Sequence, residues 1–280
     1  MNSKPIISET TNLYINDNNE FLNIHFNRLD LKFKNVKHFR IEHDGKITYT
    51  QVARVGFRIY IGLYLTNISK CALHYFIKFI FNKYKFSLKL IFFHCPTEIK
   101  KIKPSTHYHI DLRTTDLLFY NNLSQKTKYN TKWYPKKIIE DFGSYEIKSY
   151  NENQISNELI DLYFHLKRLH IPDAYKEITP SDYIRKYHIT EFHMLTINNQ
   201  PASILLLSSL NRIDYYLENI TYSPFFSKYS PGNVLYYATI LDLISRKART
   251  LYLLGGDHDY KKRFNGTETL TYTGKISRFN

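Results

Sequence analysis

The chain has 280 residues, 43% of them hydrophobic, and a formal net charge of +14. This composition is ample for a folded core and lacks low-complexity tracts, which excludes an intrinsically disordered protein. The two cysteines exclude a disulfide framework and a cysteine-rich metal site, and a reducing cytoplasm is the expected compartment. The positive charge favours anionic partners: nucleotide cofactors, anionic lipids or nucleic acid. An AT-rich coding sequence, with its abundant Lys, Asn and Ile codons, explains the same charge equally well.

No segment is typical of export or of membrane insertion. Residues 1–10 lack the basic region followed by an apolar region that a signal peptide requires. The most apolar stretch, residues 71–81, is shorter than a membrane span and contains His74 and Lys78. It predicts a buried helix or, as the alternative, a helix on a membrane surface. We therefore expect a cytoplasmic protein, with peripheral association with the inner membrane as the alternative.

The first half of the chain alternates predicted strands and helices. Asp44-Gly45, between two strand-like runs, is typical of a two-residue hairpin. Ser69 is placed to cap a helix that runs to about Asn82, with apolar residues at helical spacing. The predicted strands of this half are 39–43, 46–51, 57–64, 86–93 and 107–112.

A basic stretch from Leu123 to Gly143 links the two halves of the chain. Ser124 is placed as its N-cap, and Pro135 is expected to kink or break the helix. Its lysines and Trp133 suit the phosphates of a polyanion, whereas a solvated helix between domains fits the same residues. The predicted segments are an N-terminal half (1–122), this bridging helix (123–143) and a C-terminal half (144–280).

The second half gives a clearer order of elements. A strand at 145–149 precedes an amphipathic helix at 154–170 and a short helix capped by Ser181. Three strands joined by tight turns then form an antiparallel meander, and a helix, a strand, a short helix and a strand complete the order. The predicted ranges are 191–197, 202–207 and 213–220 for the meander, and 231–247, 250–254, 259–264 and 267–273 for the last four elements.

The motif Tyr229-Ser230-Pro231-Gly232 opens the helix that begins at residue 231. Ser at the N-cap and Pro at the first helical position are a strong helix start. The free N–H groups and the positive end of the helix dipole suit a pyrophosphate, and the glycine leaves room for its approach. An ordinary capped helix is the alternative. The residues predicted to bind the phosphates are Tyr229, Ser230, Gly232, Asn233 and Val234.

A second motif, Gly255-Gly256-Asp257-His258-Asp259-Tyr260-Lys261-Lys262-Arg263-Phe264, follows the strand at 250–254. Ligands collect beyond strand ends in open α/β sheets, so these side chains are candidates for a site. A glycine-terminated strand and a capped helix with solvated charges are the alternative. Histidines elsewhere in the chain are scattered without the spacing of metal ligands, so no metal site is predicted.

These motifs and the order of elements resemble the acetyltransferase superfamily known as GNAT. The resemblance rests on residues 123–130, Tyr229–Gly232 and Gly256-x-x-x-Tyr260-Lys261-x-Arg263-Phe264, and it covers residues 123–264. It is closest to the CelD-like and FemABX-like branch, in which two GNAT-like halves share one chain. The first half matches by element order alone. The resemblance implies an α/β (α+β) fold with a mixed, mostly antiparallel twisted sheet flanked by helices.

The activity implied by the resemblance is that of an acyl-CoA-dependent N-acyltransferase, using acetyl-CoA or another acyl-CoA. The amine would attack the thioester directly, since neither cysteine lies in a nucleophile motif. The acceptor implied by this branch is an amine of a sugar or nucleotide-linked sugar in surface polysaccharide biosynthesis. Two alternatives stay open: a FemABX-like aminoacyl-tRNA-dependent transferase, and a membrane-peripheral antimicrobial-peptide resistance protein of the same clan. Apart from the tRNA alternative, nucleic acid is not expected as a partner.

The resemblance also assigns a task to the strand 215–222. This strand should splay from its neighbour to admit the pantetheine arm, and one of its N–H groups would polarise the thioester carbonyl. Glu218 and Asn219 are expected to point to opposite faces, because side chains alternate along a strand. Glu218 would then be a candidate to take a proton from the amine, and a salt-bridged surface role is the alternative.

Roles in proton transfer and acceptor binding are implied for the motif after residue 254. Tyr260 would protonate the departing thiolate, as the Tyr at this place does in many GNAT enzymes. Asp257 or His258 would accept the proton of the amine, directly or through water. The residues expected to bind an acidic group of the acceptor are Lys261 and Arg263.

Overall fold

The described residues of the computed structural model are 4–10, 36–62, 68–95, 97–99, 102, 104–209, 212–256 and 258–278. The chain forms two compact units. The first consists of Met1–His107 together with Thr269–Asn280, and the second of Tyr108–Glu268. The second unit is therefore continuous in sequence, whereas the first is assembled from two separate stretches of chain.

The first unit is a mostly antiparallel sheet with a helix packed on it. Its elements are β1 (Ile6–Thr10), β2 (Val36–His43), β3 (Lys46–Val55), β4 (Arg58–Gly62), α1 (Lys70–Lys83), β5 (Lys89–Cys95) and most of β12 (Thr267–Ser277). The strand order is β1-β2-β3-β4-β5-β12. Neighbouring strands are antiparallel except for β4 and β5, which are parallel.

Two local predictions in this unit are confirmed. Asp44 and Gly45 form the turn between β2 and β3, with φ angles of 51° and 71°, as this type of hairpin requires. Ser69 caps α1, since its Oγ accepts a hydrogen bond from the N–H of Ala72 at 3.1 Å. The helix then buries one face against the sheet, as its apolar spacing predicts.

The second unit has helices on both faces of its sheet. Its elements are β6 (Pro104–Asp111, from Tyr108 onward), α2 (Asp116–Asn122), α3 (Gln125–Phe142), β7 (Tyr145–Asn151), α4 (Asn157–Arg168), α5 (Pro180–Tyr187), β8 (Ile189–Ile197), β9 (Gln200–Ser208), β10 (Asp214–Tyr222), α6 (Pro231–Ser245), β11 (Thr250–Gly255) and α7 (Asp259–Arg263). The strand order is β6-β11-β10-β9-β8-β7, with β7 to β10 antiparallel and β10–β11 parallel. The predicted order of elements and the mixed, mostly antiparallel sheet flanked by helices are confirmed.

Alternate residues on the central strands of the second unit face two different cores. On one face, Leu205 and Leu207 of β9 belong to a core with α6 residues such as Leu235. On the other face, Ile204 and Leu206 belong to a core with α4 and α5. We call these two sides of the sheet the α6 face and the α4 face.

The division into units differs from the predicted segments 1–122, 123–143 and 144–280. The first unit ends at His107, so α2 lies with α3 in the second unit. Residues after Glu268 return to the first unit because β12 pairs with β5. Local sequence patterns carry no information on that pairing, since the two strands are far apart in the chain.

The basic helix predicted at 123–143 is present as α3, capped by Ser124, whose Oγ accepts from the N–H of Thr127 at 3.2 Å. Pro135 was expected to kink or break this helix, and of these two expectations the break is wrong, because α3 continues through the proline. Burial of Thr127 and Ile138 on either side of the proline outweighs the one backbone hydrogen bond that it removes. α3 is the longest helix of the described ranges, and none of those helices combines the length and apolar character needed to span a membrane.

The cap of α5 also differs from the prediction. Thr179, rather than Ser181, is the N-cap, and its Oγ1 accepts a hydrogen bond from the N–H of Asp182 at 3.2 Å. Pro180 then occupies the first helical position, where its missing N–H has no intrahelical partner to lose. The hydroxyl of Ser181 instead donates to Oδ1 of Asn157 at 2.9 Å, which links α5 to α4.

Candidate active site

The pairing of the parallel strands β10 and β11 ends part-way along both strands. The two strands are paired over three residues, ending at Tyr216 and Tyr252, although β10 continues to Tyr222 and β11 to Gly255. The rings of the last paired residues stack with their centroids 4.9 Å apart. Beyond them the two strands are no longer paired, and we call the unpaired stretch between them the gap. A splay at this place is what the resemblance predicts for this strand.

A bulge in β10 lies directly beside the gap. In the pairing with β9, Leu217 lies opposite Leu207 and Asn219 opposite Leu206, so Glu218 is an additional residue on β10. A strand without a bulge would place consecutive side chains on opposite faces. The additional residue removes that alternation at this point.

Both polar side chains at the bulge lie on the α4 face. Glu218 accepts a hydrogen bond through Oε1 from the hydroxyl of Ser208, a β9 residue that shares its face with Leu206. Asn219 accepts a hydrogen bond through Oδ1 from Nζ of Lys167 on α4 at 2.9 Å. The prediction that Glu218 and Asn219 point to opposite faces is therefore wrong, and the bulge is the cause.

The start of α6 differs from a side-chain-capped helix. Ser230 has a left-handed φ of 48°, and its Oγ accepts a hydrogen bond from Nδ2 of Asn233 at 3.0 Å instead of capping the main chain. Its carbonyl oxygen accepts the N–H groups of Asn233 (2.9 Å) and Val234 (3.2 Å). Pro231 has no N–H, and the amides of Asn233 and Val234 already donate to Ser230. The amide of Gly232 is therefore the one that can donate to a phosphate oxygen at the start of α6. A six-residue 3₁₀ turn, Pro224–Tyr229, also separates β10 from α6.

Gly232 faces the sheet on the α6 face. A Cβ at this position would lie 3.8 Å from Ile220 and 3.9 Å from Ser203 and Tyr222. These are ordinary contact distances, so alanine fits, whereas a larger side chain would meet the end of β10. The glycine therefore allows α6 to start close to the strand that borders the gap.

Tyr229 does not take the place predicted for it. Its side chain is buried, and its hydroxyl donates a hydrogen bond to Oδ2 of Asp141 at 2.7 Å. The ring also packs edge-on against Phe142, with centroids 5.2 Å apart. Tyr229 thus ties the turn before α6 to the end of α3, and its hydroxyl is already used there. The prediction that Tyr229 binds the cofactor is corrected for this reason.

A cavity of about 330 Å³ lies between α3 and α6. Asn233 and Val234, predicted to bind the cofactor, and Arg263, predicted to bind the acceptor, all line it. Its wall also includes Asn130 of α3 and apolar residues of α6 and β7. The structure therefore brings three predicted site residues together, but on the side of α6 that faces α3.

Tyr260 lies in α7, just after β11, and is half-buried. Its ring packs edge-on against Tyr236 of α6, with centroids 5.5 Å apart, and lies parallel to the ring of His258 at 5.9 Å. Burial raises the pKa of Tyr260 to about 12, so the phenol remains protonated at neutral pH and can act as a proton donor. The hydroxyl of Tyr236 is buried and has no hydrogen-bond partner within the described residues.

Lys261 is buried, and its side chain binds the end of β11. Its Nζ donates hydrogen bonds to the carbonyl oxygens of Leu254 (3.2 Å) and Gly255 (2.6 Å). The ammonium also lies 5.7 Å from the centre of the Tyr108 ring. The prediction that Lys261 binds an acidic group of the acceptor is therefore corrected, because the charge is already satisfied inside the protein.

The remaining predicted residues have different positions. His258 is exposed and its ring covers Tyr260, and Arg263 is exposed at the wall of the cavity. Asp257 lies outside the described residues. Among those residues, no three His, Cys, Asp or Glu side chains are grouped so as to hold a metal ion.

A polar cluster on the α4 face was missed by the sequence predictions. It consists of Lys167, Asn219 and Tyr175, and Nδ2 of Asn219 donates to the hydroxyl of Tyr175 at 3.2 Å. Burial lowers the pKa of Lys167. One signal was available, since adjacent Glu and Asn side chains interrupt the middle of a strand. The partner Lys167 was hidden, because it is 52 residues away from Asn219.

Residues 126–262 match the family model described as "Acetyltransferase (GNAT) domain". This match contains β10, β11, α6 and the first four residues of α7, and therefore the gap. None of the curated proteins searched matches the chain.

Several solved structures share the fold of the chain. FemX matches with a TM-score of 0.62 at 10% identity, covering 90% of this chain and 90% of FemX. A conserved protein of unknown function from Bacteroides thetaiotaomicron matches with a TM-score of 0.59 at 10% identity, covering 92% of this chain and 90% of that one. The C-terminal domain of a putative lysylphosphatidylglycerol synthetase from Agrobacterium fabrum matches with a TM-score of 0.57 at 8% identity, covering 82% and 80%. At these identities the likeness shows the fold alone. Residues 126–262 therefore match an acetyltransferase domain of the GNAT type, and the chain shares its fold with FemX.

Proposed function

We propose that this chain is an acyl-CoA-dependent N-acyltransferase whose donor thioester lies in the gap between β10 and β11. The gap is the observation that carries the proposal, because two strands that run on after their pairing ends leave room for an extended arm between them. Main-chain N–H groups of β10 that face the gap would donate to the thioester oxygen. Donors fixed in that position stabilise the negative charge that grows on this oxygen in the transition state.

The residues around the start of α6 fit an acyl-CoA only in part. The amide of Gly232 and the positive end of the helix dipole suit one phosphate oxygen. The other early amides of α6 are already bonded to Ser230. We therefore assign the second phosphate contact to Arg263, which lines the cavity together with Asn233. The cofactor would supply the activated acyl group, and no further chemistry is required of it.

The transfer needs one proton to leave the acceptor and one to reach the donor. The amine nitrogen attacks the carbonyl carbon, the carbon–sulfur bond breaks, and the sulfur leaves as a thiolate. Tyr260 gives its phenolic proton to that thiolate, and Glu218 takes the proton released by the amine. Glu218 is preferred over His258 because it lies at the bulge on the α4 face, whereas His258 is exposed beside Tyr260.

The two substrates would approach the gap from different faces. Gly232 and Tyr236 lie on the α6 face, so the donor is assigned to that face. Glu218 and Asn219 lie on the α4 face, so the acceptor amine is assigned to it. The acceptor class is an amine of a sugar or nucleotide-linked sugar in surface polysaccharide biosynthesis, and this choice is supported by the resemblance alone.

A second candidate is an aminoacyl-tRNA-dependent transferase. The similarity to FemX over 90% of both chains favours it, together with the charge of α3. Five lysines and no Asp or Glu lie between residues 125 and 137 of this helix. Tyr129 and Trp133 stack on its exposed side with centroids 6.5 Å apart. Such a surface suits a nucleic acid backbone with unpaired bases.

Calorimetric titration with acetyl-CoA tests the first proposal directly. We expect saturable binding, and release of free CoA when an amino sugar is added to the saturated protein. Failure to bind acetyl-CoA, combined with salt-sensitive binding of tRNA, would reject the first proposal in favour of the second. Failure to bind either donor would reject both.

A further inference from the structure

The cluster of Lys167, Asn219 and Tyr175 has no task in the transfer chemistry proposed above. Lys167 lies one residue before the end of α4, and its ammonium reaches the strand that borders the gap. The contact is made to Asn219, the residue that follows the bulge at Glu218. The ammonium therefore lies on the face assigned to the acceptor, bonded to the residue that follows the assigned base in the sequence.

Asn219 is held in a fixed orientation. Its Oδ1 accepts from Lys167 at 2.9 Å and its Nδ2 donates to the hydroxyl of Tyr175 at 3.2 Å. That hydroxyl is also within 2.9 Å of the hydroxyl of Tyr163 in the core between α4 and α5. Because both ends of the amide are bonded, Asn219 fixes the position of the ammonium rather than following it.

The charge of Lys167 is only partly compensated. Its Nζ has three N–H donors, and the contact on the described residues is to one neutral amide oxygen. Burial is what shifts its pKa, with no contribution from a neighbouring carboxylate. Other partly buried cations of this unit do have carboxylate partners; Arg246, for example, binds Glu191 through both of its terminal nitrogens.

Removing an ammonium from water is unfavourable unless an opposite charge or several acceptors replace the water. A fixed ammonium with unused donors beside a reaction site is therefore suited to an anionic group of a substrate. We infer that Lys167 binds a phosphate or carboxylate of the acceptor, so that the acceptor is an amine that carries an acidic group in the same molecule. This inference rests on the proposed function and narrows its substrate class.

The test compares amino sugars that differ in charge, using protein saturated with CoA. Glucosamine is the neutral probe, glucosamine 6-phosphate and a nucleoside-diphosphate amino sugar carry phosphate, and glucosaminic acid carries a carboxylate. We expect wild-type protein to bind at least one anionic probe about tenfold more tightly than glucosamine. The Lys167→Met variant should lose that preference, with its affinity for glucosamine unchanged. The Lys167→Arg variant should keep part of it, because the charge is retained.

Lys176→Met is the matched control. Lys176 lies nine residues further along the chain, is exposed, and forms an ion pair with Asp173. We expect this variant to keep the wild-type preference, and thermal melting should show that both Met variants are folded. Equal affinity of wild-type protein for all probes, or an unchanged preference in Lys167→Met, would overturn the inference.

Turnover with the preferred probe separates binding from catalysis. Loss of Lys167 should raise KM about tenfold and leave kcat nearly unchanged. A fall in kcat at unchanged KM would overturn the inference, because it would assign Lys167 to proton transfer. If wild-type protein does not bind CoA at all, the proposed function fails and this inference fails with it. If CoA binds but the probes are not distinguished, the inference alone fails.

Discussion

Each unit contains a parallel pair of neighbouring strands, and the two pairs differ in how far the pairing extends. In the first unit, β4 is paired with β5 along its whole length, from Arg58 opposite Lys89 to Gly62 opposite Phe93. In the second unit, the pairing of β10 with β11 stops at Tyr216, with six residues of β10 still to come. Within the described ranges, β4 is thus paired up to its last residue (the closed pair), whereas β10 runs on after its pairing ends (the open pair).

The side chains explain where the second pair opens. In β4 the central residues Ile59 and Ile61 are completely buried in the core of the first unit. In β10 the residues after the last paired position include Glu218 and Asn219, whose polar groups need partners. Both find partners on the α4 face, and the bulge that places them there also bends the strand at the point where its pairing with β11 has ended. The two polar residues in the otherwise apolar strand β10 therefore lie where its pairing with β11 has ended.

The largest effect is expected from Tyr260, which follows β11 of the open pair. We expect Tyr260→Phe to lower kcat by roughly 100-fold or more, because the variant has no proton for the departing thiolate. Acetyl-CoA binding should persist, since the ring remains. The measurement is CoA release under saturating acetyl-CoA. Tyr49→Phe, on β3 of the first unit, is the control with the same chemical change, and a Tyr260 variant within threefold of wild type would contradict the assignment.

A somewhat smaller effect is expected from crowding the start of α6. Gly232→Phe should weaken acetyl-CoA binding by about 100-fold, or roughly 2.7 kcal/mol, because the ring would press on the end of β10. Gly232→Ala is the control, since its Cβ would be 3.8 Å from the nearest atom, Cδ1 of Ile220. The same calorimetry also counts donor sites. Wild-type protein should bind one acetyl-CoA per chain, because only the open pair is assigned a donor. Two equivalents would mean that the closed pair β4–β5 also belongs to a donor site.

The stability of the open pair is also expected to depend on Lys261, whose ammonium binds the end of β11. Lys261→Met should lower the free energy of unfolding by about 2 kcal/mol, because the carbonyl oxygens of Leu254 and Gly255 lose a charged donor. Lys262→Met, next to it and exposed, should change stability by less than about 1 kcal/mol. Urea unfolding followed by circular dichroism measures both. A larger effect on acceptor KM than on stability would restore Lys261 to the substrate site.

The smallest expected effect has the opposite sign. Tyr236→Phe should raise the free energy of unfolding by about 0.5–1 kcal/mol, because it removes a buried hydroxyl that has no partner in the described residues. Tyr183→Phe is the control, since the hydroxyl of Tyr183 is bonded to that of Tyr163. That variant should lose about 1 kcal/mol. A destabilised Tyr236 variant would mean that its hydroxyl is satisfied in solution.

The features that could be predicted from the sequence depend on residues only a few positions apart in the chain. The caps at Ser69 and Ser124 depend on a hydroxyl three residues before the amide that it accepts from, and both are confirmed. The order of elements follows from the period of apolar residues in the same way. Such features need no knowledge of the rest of the fold.

The parts that sequence could not predict depend on partners far along the chain. Lys261 and Arg263 are two residues apart and equally charged, yet one is buried at a strand end and the other lines a cavity. Only the helical phase of α7 against β11 decides between them. Tyr229 similarly finds its partner Asp141 88 residues away. The gap itself was predicted from the resemblance, but the bulge that accompanies it was not.

The pairing of β12 with β5 has a consequence for synthesis of the protein. A ribosome adds roughly 5–20 residues per second, and about 170 residues separate the end of β5 from the start of β12, so the delay is roughly 10–30 s. During that time β5 has β4 on one side and an unpaired edge on the other. The second unit is continuous and can fold meanwhile, whereas the first waits with an edge open to association with other chains. Nascent chains stalled or truncated after Glu268 should therefore be the species that aggregates.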